Sequence, residues 1–335
     1  MSSTIKDVAK KAGVSIATVS KFINGGNVLE DNRIAIEAAV RDLNYQVNTV
    51  ARGMKTRRSM TVGVLIPSLA DYFGVSILAI IDSELFKHGY STIICDYSET
   101  DPTSAPAKLA FLMNKQVDGI IMQPINVRPQ DLIRAEEQDT PVVFVDVKVD
   151  HRDNDCVIIN NVDITYQITN HILQLGHKRI GLISGASGVL TTDDRVNGYR
   201  KALDKAGIPF HKELLYLKNI SEESGYEGVK HFMNLAEPPT VIFATGHDLT
   251  VGALMYLNEK GMKIPEDISF VGFENQTIAR VYHPKLTIGL QPIQKIGQKA
   301  AELLIERMSG KYDGPGRTVE LKALIDYGAS VKDLR

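Results

Sequence analysis

The distribution of apolar residues divides the chain into two regions that meet near residue 61. From Thr61 onward, short apolar runs rich in β-branched residues recur with helical patterns between most of them, which predicts strand–helix–strand units around parallel sheets. In chain order these runs read TVGVLIP, STIIC, DGIIMQP, PVVFVD, CVIIN, RIGLIS, TVIFAT and DISFVGF. The series starts again at RIGLIS, so the pattern predicts an α/β region of two similar lobes with a cleft between them.

Two carboxylates occupy favourable positions for such a cleft. In open α/β sheets, ligands bind beyond the carboxyl ends of the strands. Asp146 directly follows the run PVVFV, and Glu274 directly follows SFVGF. The pattern therefore predicts that both residues face a ligand site.

The first 25 residues have a different pattern, in which two short amphipathic helices are separated by a glycine. Thr4 is a suitable cap for the first helix, and Asp7 completes a capping box. Gly13 supplies the backbone freedom of a sharp turn, and Ser15 then caps the second helix. The outward face of the second helix carries Ile16, Ala17, Ser20, Lys21 and Asn24. This face is typical of a helix that enters the DNA major groove, although an ordinary helical hairpin would look similar.

Charge sharpens the contrast between the two regions. The 335 residues are 44% hydrophobic, which predicts a globular chain of two or three domains. Residues 1–60 hold ten Lys and Arg against five Asp and Glu, a net charge of +5, so the overall charge of −2 leaves −7 on the remainder. A basic head on an acidic body favours attraction to phosphate groups, which alone is independent of DNA sequence.

Other features of the sequence exclude several classes of protein. No apolar run reaches the roughly 18 residues of a membrane span, and the N-terminus lacks an apolar signal segment, so we expect a cytoplasmic protein. Cys95 and Cys156 each lie in an apolar run, which favours buried thiols over a disulfide. The Cys/His spacing of zinc sites is missing, and we expect neither a metal nor a cofactor. The motifs of serine hydrolases, zinc proteases, P-loop proteins and dinucleotide enzymes are also missing, which argues against an enzyme.

A basic segment, NTVARGMKTRRS, joins the two regions. It favours one or two helical turns between Thr49 and Lys55, but Gly53 weakens an independent helix. We expect it to become ordered on a partner, and a solvated basic linker is the alternative.

Several segments together resemble the lactose/galactose-repressor family in order and spacing. They are the opening stretch TIKDVAKKAGVSIATVSKFIN, the linker VNTVARGMKTRRSMTVGVLIP, and the later DGIIMQP, PVVFVD, LGHKRIGLISG, RVNGYRKAL and IPEDISFVGFEN. The resemblance covers nearly the whole chain. It implies a small all-α helix-turn-helix headpiece followed by a two-lobed α/β core with parallel sheets, similar to periplasmic sugar-binding proteins.

The resemblance also implies domain boundaries. The headpiece would cover 1–47, a hinge helix and linker 48–60, and the effector-binding and dimerisation core 61–335. Because three strands cross between the lobes in this family, the first lobe would contain about 61–160 and 292–322, and the second about 161–291 and 323–335. Helix 292–308 would thus return to the first lobe and the last strand to the second.

The family's DNA contacts map onto the head and the linker. In the head they correspond to Thr4, Ser15, Ile16, Ala17, Thr18, Ser20, Lys21 and Asn24, and in the linker to Asn48, Ala51, Met54 and Arg57. Three positions depart from the usual pattern: Lys21 replaces an arginine, Val47 a proline and Met54 a leucine wedge. Lysine lacks the bidentate fork of arginine, whereas methionine is still able to insert between base pairs.

The family's effector contacts correspond to Tyr72, Phe73, Asp146, Arg195, His247 and Glu274. Here His247 replaces the commoner asparagine and Glu274 the commoner aspartate. The set suits the hydroxyl groups of a sugar or sugar derivative; an acidic or phosphorylated sugar, with Lys148 near the site, is the runner-up. Each of these residues also has a purely structural interpretation, and for Asp248 we favour one, as the N-cap of the following helix.

Together, these features predict a DNA-binding transcriptional regulator, a repressor of carbohydrate-utilisation genes controlled by a small effector in the cleft. It would bind a pseudo-palindromic operator as a homodimer, since two-fold symmetry lets two heads contact two half-sites. An enzyme and a periplasmic sugar-binding protein are the alternatives, and neither needs the basic head.

Overall fold

The computed structural model describes residues 3–23, 26–45, 58–149, 151–274 and 276–335. The chain forms two compact units, 1–60 and 61–335. Each unit is described by itself below. Most of the predicted linker and its residues Asn48, Ala51, Met54 and Arg57 lie outside the described residues, as does Asn24.

The head contains three helices, α1 (Ile5–Ala12), α2 (Ile16–Ile23) and α3 (Glu30–Asp42). The predicted capping box is present, because the Asp7 backbone N–H donates to the Thr4 side chain and Asp7 accepts from the Thr4 backbone. Gly13 ends α1 in the left-handed region at φ 67°. These two sequence predictions are confirmed, whereas α3 was not predicted.

A small apolar core holds the three helices together. Its fully buried members are Val8, Ala9, Val19, Ile36 and Ala39. Two of them come from α1, one from α2 and two from α3, so the third helix completes a core that two helices alone would leave open.

The larger unit contains two six-stranded sheets. The first has the order β11-β5-β4-β3-β1-β2 and is parallel throughout. Its strands are β1 (Thr61–Ile66), β2 (Ser91–Asp96), β3 (Gly119–Met122), β4 (Val142–Val145), β5 (Asp155–Ile159) and β11 (Thr318–Leu321). Its described helices before residue 160 are α4 (Tyr72–Lys87), α5 (Ser104–Asn114) and α6 (Ile133–Glu137).

The second sheet repeats this arrangement in the order β12-β10-β9-β8-β6-β7. Its strands are β6 (Ile180–Ser184), β7 (Leu215–Leu217), β8 (Val241–Ala244), β9 (Ser269–Phe273), β10 (Thr287–Leu290) and β12 (Leu324–Asp326). Helix α7 (Asn161–Gln174) precedes β6, and the helices between the strands are α8 (Leu190–Lys205), α9 (Glu222–Met233), α10 (His247–Glu259) and α11 (Gln276–Val281). Only the edge pairing of β12 with β10 is antiparallel within the described sheet.

The C-terminal segments connect back to both sheets. Helix α12 (Ile293–Met308) packs against α4 and against β3, β4 and β5 of the first sheet. Gly297 permits this close crossing, since a Cβ there would lie 2.7 Å from Ile80 Cβ. The chain then adds β11 to the first sheet and β12 to the second.

The predicted fold class is confirmed: an α-helical head precedes a two-sheet α/β core with mainly parallel strands. All eight predicted apolar runs form strands. Both cysteines are buried and free. Among the described residues, no helix combines the length and apolar character that crossing a membrane requires.

Candidate DNA-binding head and ligand cleft

The second helix of the head presents the predicted surface. Ser15 Oγ accepts a hydrogen bond from the Thr18 backbone N–H at 3.1 Å, so Ser15 caps α2 as expected. Thr4, Ser15, Ile16, Ala17 and Lys21 are exposed, while Thr18 and Ser20 are half-buried. Ile16 is 46% exposed and is not part of the apolar core of the head, so its exposed surface is available to a partner.

The structure adds residues to this surface that the sequence pattern did not indicate. Ala17, Thr18 and Lys21 line one concavity together with Asn27, Leu29 and Asn32. Leu29 is 76% exposed. An apolar side chain, amides and a lysine in one concavity are suited to base edges and phosphate groups. Leu29 could have been found from the sequence, because it is an apolar residue directly before α3 that does not fall on the buried face of a helix.

In the larger unit, Asp146 and Glu274 occupy equivalent positions in the two sheets. Asp146 follows β4 with φ 70°, and its backbone N–H donates to Val157 O at 2.8 Å. Glu274 follows β9 with φ 77°, and its N–H donates to Gly289 O at 2.7 Å. Left-handed backbone is unusual for such residues and turns each chain sharply at the strand end.

Arg195, on α8, is 4% exposed and held by three contacts. Its Nε donates to Asn161 Oδ1 at 2.9 Å, and its Nη1 donates to Thr245 O at 2.5 Å. The guanidinium lies 4.7 Å from the centre of the Phe273 ring, directly before Glu274. These contacts fix its orientation and leave the second N–H of Nη1 and both N–H groups of Nη2 as further donors.

Two aromatic rings meet where α4 and α10 begin. The rings of Tyr72 and His247 have centroids 4.5 Å apart. Since Tyr72 follows a strand of the first sheet and His247 a strand of the second, this contact joins the two lobes. Asp71 caps α4 by accepting from the Gly74 N–H at 2.7 Å.

Glu274 accepts two hydrogen bonds from uncharged donors. The His247 backbone N–H donates to Oε2 at 3.2 Å, and Gln291 Nε2 donates to Oε1 at 2.5 Å. Across the cleft, Gln123 Nε2 donates to Asp146 Oδ2 at 3.1 Å. In each lobe, therefore, a carboxylate accepts a hydrogen bond from a glutamine; Asp146 is buried and Glu274 is half-buried.

The carboxylates of the cleft have perturbed acidities. Burial raises the pKa of Glu274 to about 7, against the opposing effect of Arg195, and the charges of Asp71 and Asp146 raise it further. Burial also raises the pKa of Asp146, with Arg195 and Gln123 acting in the opposite direction. Burial lowers the pKa of the His247 imidazole, against the opposing charges of Asp71 and Glu222.

The sequence predictions for the cleft have mixed outcomes. The structure brings Tyr72, Asp146, Arg195, His247 and Glu274 to the facing ends of the two sheets, while Phe73 is only 5% exposed and packs in the core. The assignment of Asp248 as an N-cap is wrong, because Gly246 caps α10 and Asp248 is its second residue. Burial, reinforced by Asp71 and Glu222, raises the pKa of Asp248 to about 6. Lys148 is exposed.

Four polar residues of the cleft were not found from the sequence: Asp71, Gln123, Asn161 and Gln291. Each holds a group supplied by another part of the chain or caps a helix, so no local pattern marked them. Among the described residues, no cluster of three His, Cys, Asp or Glu side chains could bind a metal ion.

Family models match both parts of the chain. Residues 4–48 match the bacterial regulatory proteins of the lacI family, and residues 59–322 match the periplasmic binding proteins and sugar-binding domain of the LacI family. The regulator RegA of Clostridium saccharobutylicum is 35% identical over 96% of this chain and 97% of its own. The repressor PurR of Actinobacillus pleuropneumoniae serotype 3 is 33% identical over 99% of both chains.

Solved structures give the same result. The lac repressor dimer bound to operator and the anti-inducer ONPF is similar to this chain with a TM-score of 0.85 and 26% identity, over 99% of this chain and 100% of its own. A LacI-family regulator from Enterococcus faecium with bound ribose has a TM-score of 0.74 and 28% identity, over 82% of this chain and 100% of its own.

Proposed function

Because this chain is a transcriptional regulator of the LacI family, we propose that it represses carbohydrate-utilisation genes and that a small hydroxylated effector sets its affinity for operator DNA. The observation that carries the proposal is the convergence of Asp146, Arg195 and Glu274 between the two sheets. A carboxylate accepts and a guanidinium donates, so the group matches hydroxyls, which do both. A regulator with this role acts in the cytoplasm, where the chromosome lies, and needs no catalytic activity.

The domain assignment follows from the same premise. Residues 1–47 read the operator, 48–60 form the hinge, and 61–335 bind the effector. The first lobe contains about 61–160 and 292–322, and the second about 161–291 and 323–335. The sheet membership of β11 and β12 supports these limits.

We assign base contacts to the outward face of α2 and to the concavity beside it. Lys21 is exposed at the centre of this surface. The remaining proposed contacts, Asn24, Asn48, Ala51, Met54 and Arg57, complete the interface in the operator complex. Two copies of the chain would bind the two halves of a pseudo-palindromic operator, as the lac repressor dimer binds its operator.

Control by the effector requires the ligand to favour one arrangement of the lobes. A ligand can contact Asp146 of the first lobe together with Arg195 or Glu274 of the second. Since it makes all of these contacts only when the lobes are close, it binds the closed cleft more tightly than the open one. The Tyr72–His247 contact at 4.5 Å lies on the same boundary, so it responds to the same motion. The difference in ligand affinity between the two arrangements must appear as a difference in operator affinity.

The DNA-binding half of the proposal is tested with Lys21→Ala. Operator DNA is first selected from random sequences with the full-length protein. If Lys21 contacts a base edge, the substitution weakens binding to this DNA by about 1–3 kcal/mol and lowers the preference for it over unrelated DNA. Fluorescence anisotropy measures both affinities.

Lys6→Ala is the matched control. Lys6 is exposed on α1, outside the proposed interface, and its removal changes the charge of the head equally. An equal loss of specificity in the two variants, or none in Lys21→Ala, contradicts the assignment of α2 as the recognition helix.

A further inference from the structure

The cleft contains more negative charge than its own cations balance. Asp71 raises the pKa of Asp146, Asp248 and Glu274, so three other carboxyl groups lie within electrostatic reach of Asp71. The cation that opposes these shifts at Asp146 and Glu274 is Arg195. Burial lowers the pKa of His247, so in the described part of the cleft the carboxyl groups outnumber the cationic side chains.

Arg195 is already committed to neutral acceptors. Its Nε and Nη1 donate to Asn161 Oδ1 and Thr245 O, and its face rests on Phe273. The guanidinium thus reduces the repulsion in the cleft from a distance, without a hydrogen bond from these two groups to a carboxylate. Its contacts orient it but do not neutralise the site.

Gln291 provides a second, independent observation. This residue is only 7% exposed, and its Nε2 donates to Glu274 Oε1 at 2.5 Å. An ionised carboxylate accepts and cannot donate, so whenever Glu274 is ionised this contact places the Nε2 end of the amide against it. The other end, Oε1, is buried and has no hydrogen-bond partner within the described residues.

A ligand donor would satisfy the unpaired, buried Gln291 Oε1 beside the half-buried carboxylate of Glu274. A buried amide oxygen without a partner destabilises the folded state, and a ligand that donates a hydrogen bond to it removes this cost. Here the acceptor and the uncompensated carboxylate are adjacent, so one group that carries several donors and a positive charge would satisfy both.

We infer that the effector is a hydroxylated molecule with a positively charged ammonium group, an amino sugar being the simplest such molecule, and that Glu274 and Gln291 contact the ammonium. The inference rests on the proposed function, because it assigns the ligand class of the same cleft. An ammonium group has three donors and no acceptor, which matches two neighbouring oxygens. It also relieves the repulsion among the carboxylates.

The same charges disfavour the other ligand classes. A phosphorylated or acidic sugar would bring another negative charge into a site where one arginine faces four carboxylates. A neutral sugar would satisfy hydroxyl contacts but leave the charge uncompensated. Lys148, the other cation considered for an anionic ligand, is exposed.

The test measures binding of matched sugars to the full-length protein by thermal shift and calorimetry. The panel contains D-glucosamine, D-galactosamine and D-mannosamine, their neutral parents, their N-acetyl derivatives and the 6-phosphates of the parents. At least one amino sugar should bind about tenfold more tightly than its parent and its N-acetyl derivative. The inference is overturned if a parent or a 6-phosphate binds as tightly as the amino sugar, or if no amino sugar binds at millimolar concentration.

Glu274→Gln tests the assigned contact, since it keeps the shape of the side chain and removes its charge. The preference for the amino sugar over its parent should fall about tenfold. Glu266→Gln is the matched control, because Glu266 is exposed in the same lobe and changes the net charge equally. Asp248→Asn removes a second charge of the cleft and should lower the preference by a smaller factor. If the preference is undiminished in both Glu274→Gln and Asp248→Asn, the assignment is refuted.

Operator anisotropy separates this inference from the proposed function. If an amino sugar binds with the expected preference but leaves operator affinity unchanged, the ligand class stands and the control of DNA binding fails. If a neutral or phosphorylated sugar changes operator affinity while the amino sugars do not bind, the proposed control stands and the ligand class is wrong.

Discussion

Two carboxylates, the buried Asp155 and the half-buried Glu274, occupy opposite electrostatic environments in the same unit. Asp155, at the start of β5, accepts from Arg307 Nε and Nη2, each at 3.0 Å, and from Arg317 Nη2 at 2.9 Å. Glu274, after the end of β9, accepts only from the uncharged donors of His247 and Gln291 among the described residues. One carboxylate is therefore compensated by the chain itself, and the other is not.

The acidities follow this difference. Burial alone would raise the pKa of Asp155, but the hydrogen bonds from Arg307 and Arg317 outweigh it and hold the pKa well below its usual range. At Glu274, burial prevails and raises the pKa to about 7. A buried carboxylate paired with arginines holds the fold together, whereas an unpaired one stays available to a ligand.

The position of Asp155 explains the first role. Arg307 lies at the end of α12 and Arg317 directly before β11, so one side chain holds both returning segments against β5. Tyr312 lies between them, with its ring centre 3.8 Å from the Arg317 guanidinium carbon. The cluster thus closes the C-terminal part of the first sheet.

The largest effect is expected for Asp155→Ala. The substitution leaves two partly buried guanidinium groups without their carboxylate, and it should lower the free energy of unfolding by about 3–5 kcal/mol. Urea denaturation followed by circular dichroism measures the loss. Asp313→Ala is the control, because Asp313 is exposed and directly follows Tyr312 in the chain. It should change stability by less than about 0.5 kcal/mol. Similar losses in the two variants would show that the cluster adds little.

A difference in pH dependence sharpens the comparison. The pKa of Glu274 is higher in the folded protein than the ordinary 4.5, so the folded state binds more protons and stability falls as pH rises from about 4.5 to about 7. Glu274→Gln should remove this loss, which is on the order of 3 kcal/mol. Asp155 has the opposite sign: its contribution is present above pH 3.8 and disappears only as pH falls through its lowered pKa.

Unfolding measured at pH 5 and pH 8 tests the Glu274 prediction. The stability of Glu274→Gln relative to the parent protein should increase between these two values. A constant difference would mean that Glu274 is ionised throughout and that its charge is compensated in the folded state. Glu266→Gln controls for the change in net charge.

The smallest effect on stability is expected at the capping box of Thr4 and Asp7. The Asp7 carboxylate accepts hydrogen bonds but is exposed to water. The Thr4 side chain and backbone lower its pKa, in a position with free access to water. Thr4→Ala should increase amide hydrogen exchange in residues 5–12, while Thr4→Ser, which keeps the cap, should not. Equal exchange in the two variants would indicate that the capping box contributes nothing to α1.

Apolar patterning predicted most of the core but missed its edges. The eight predicted strands are apolar on both faces, because helices cover both sides of their sheets. The four others are only three or four residues long, and β11 and β12 are partly exposed, so their patterns are weak. Helix α3 was missed because Leu29, at its N-cap position, has no capping side chain.

The cleft residues that directly follow a buried strand were predictable from the sequence. Those that join the cleft through a hydrogen bond to a distant residue were not. Asp146 and Glu274 were found because they follow buried strands. Gln123 and Gln291 were missed because their carboxylate partners lie 23 and 17 residues away. Asp248 was misassigned because helix α10 starts at His247, two residues earlier than a cap at Asp248 would place it, after an extended Gly246 with φ −164°.

The central claim, that a ligand in the cleft sets operator affinity, is tested most directly by operator anisotropy with the parent protein and Arg195→Ala. The ligand is the sugar of the panel that raises the melting temperature of the parent most, and the unliganded variant is first shown to bind operator. Saturating ligand should change the operator affinity of the parent by about tenfold and leave that of Arg195→Ala nearly unchanged. If the ligand binds the parent without changing its operator affinity, or if Arg195→Ala responds as the parent does, the account is contradicted.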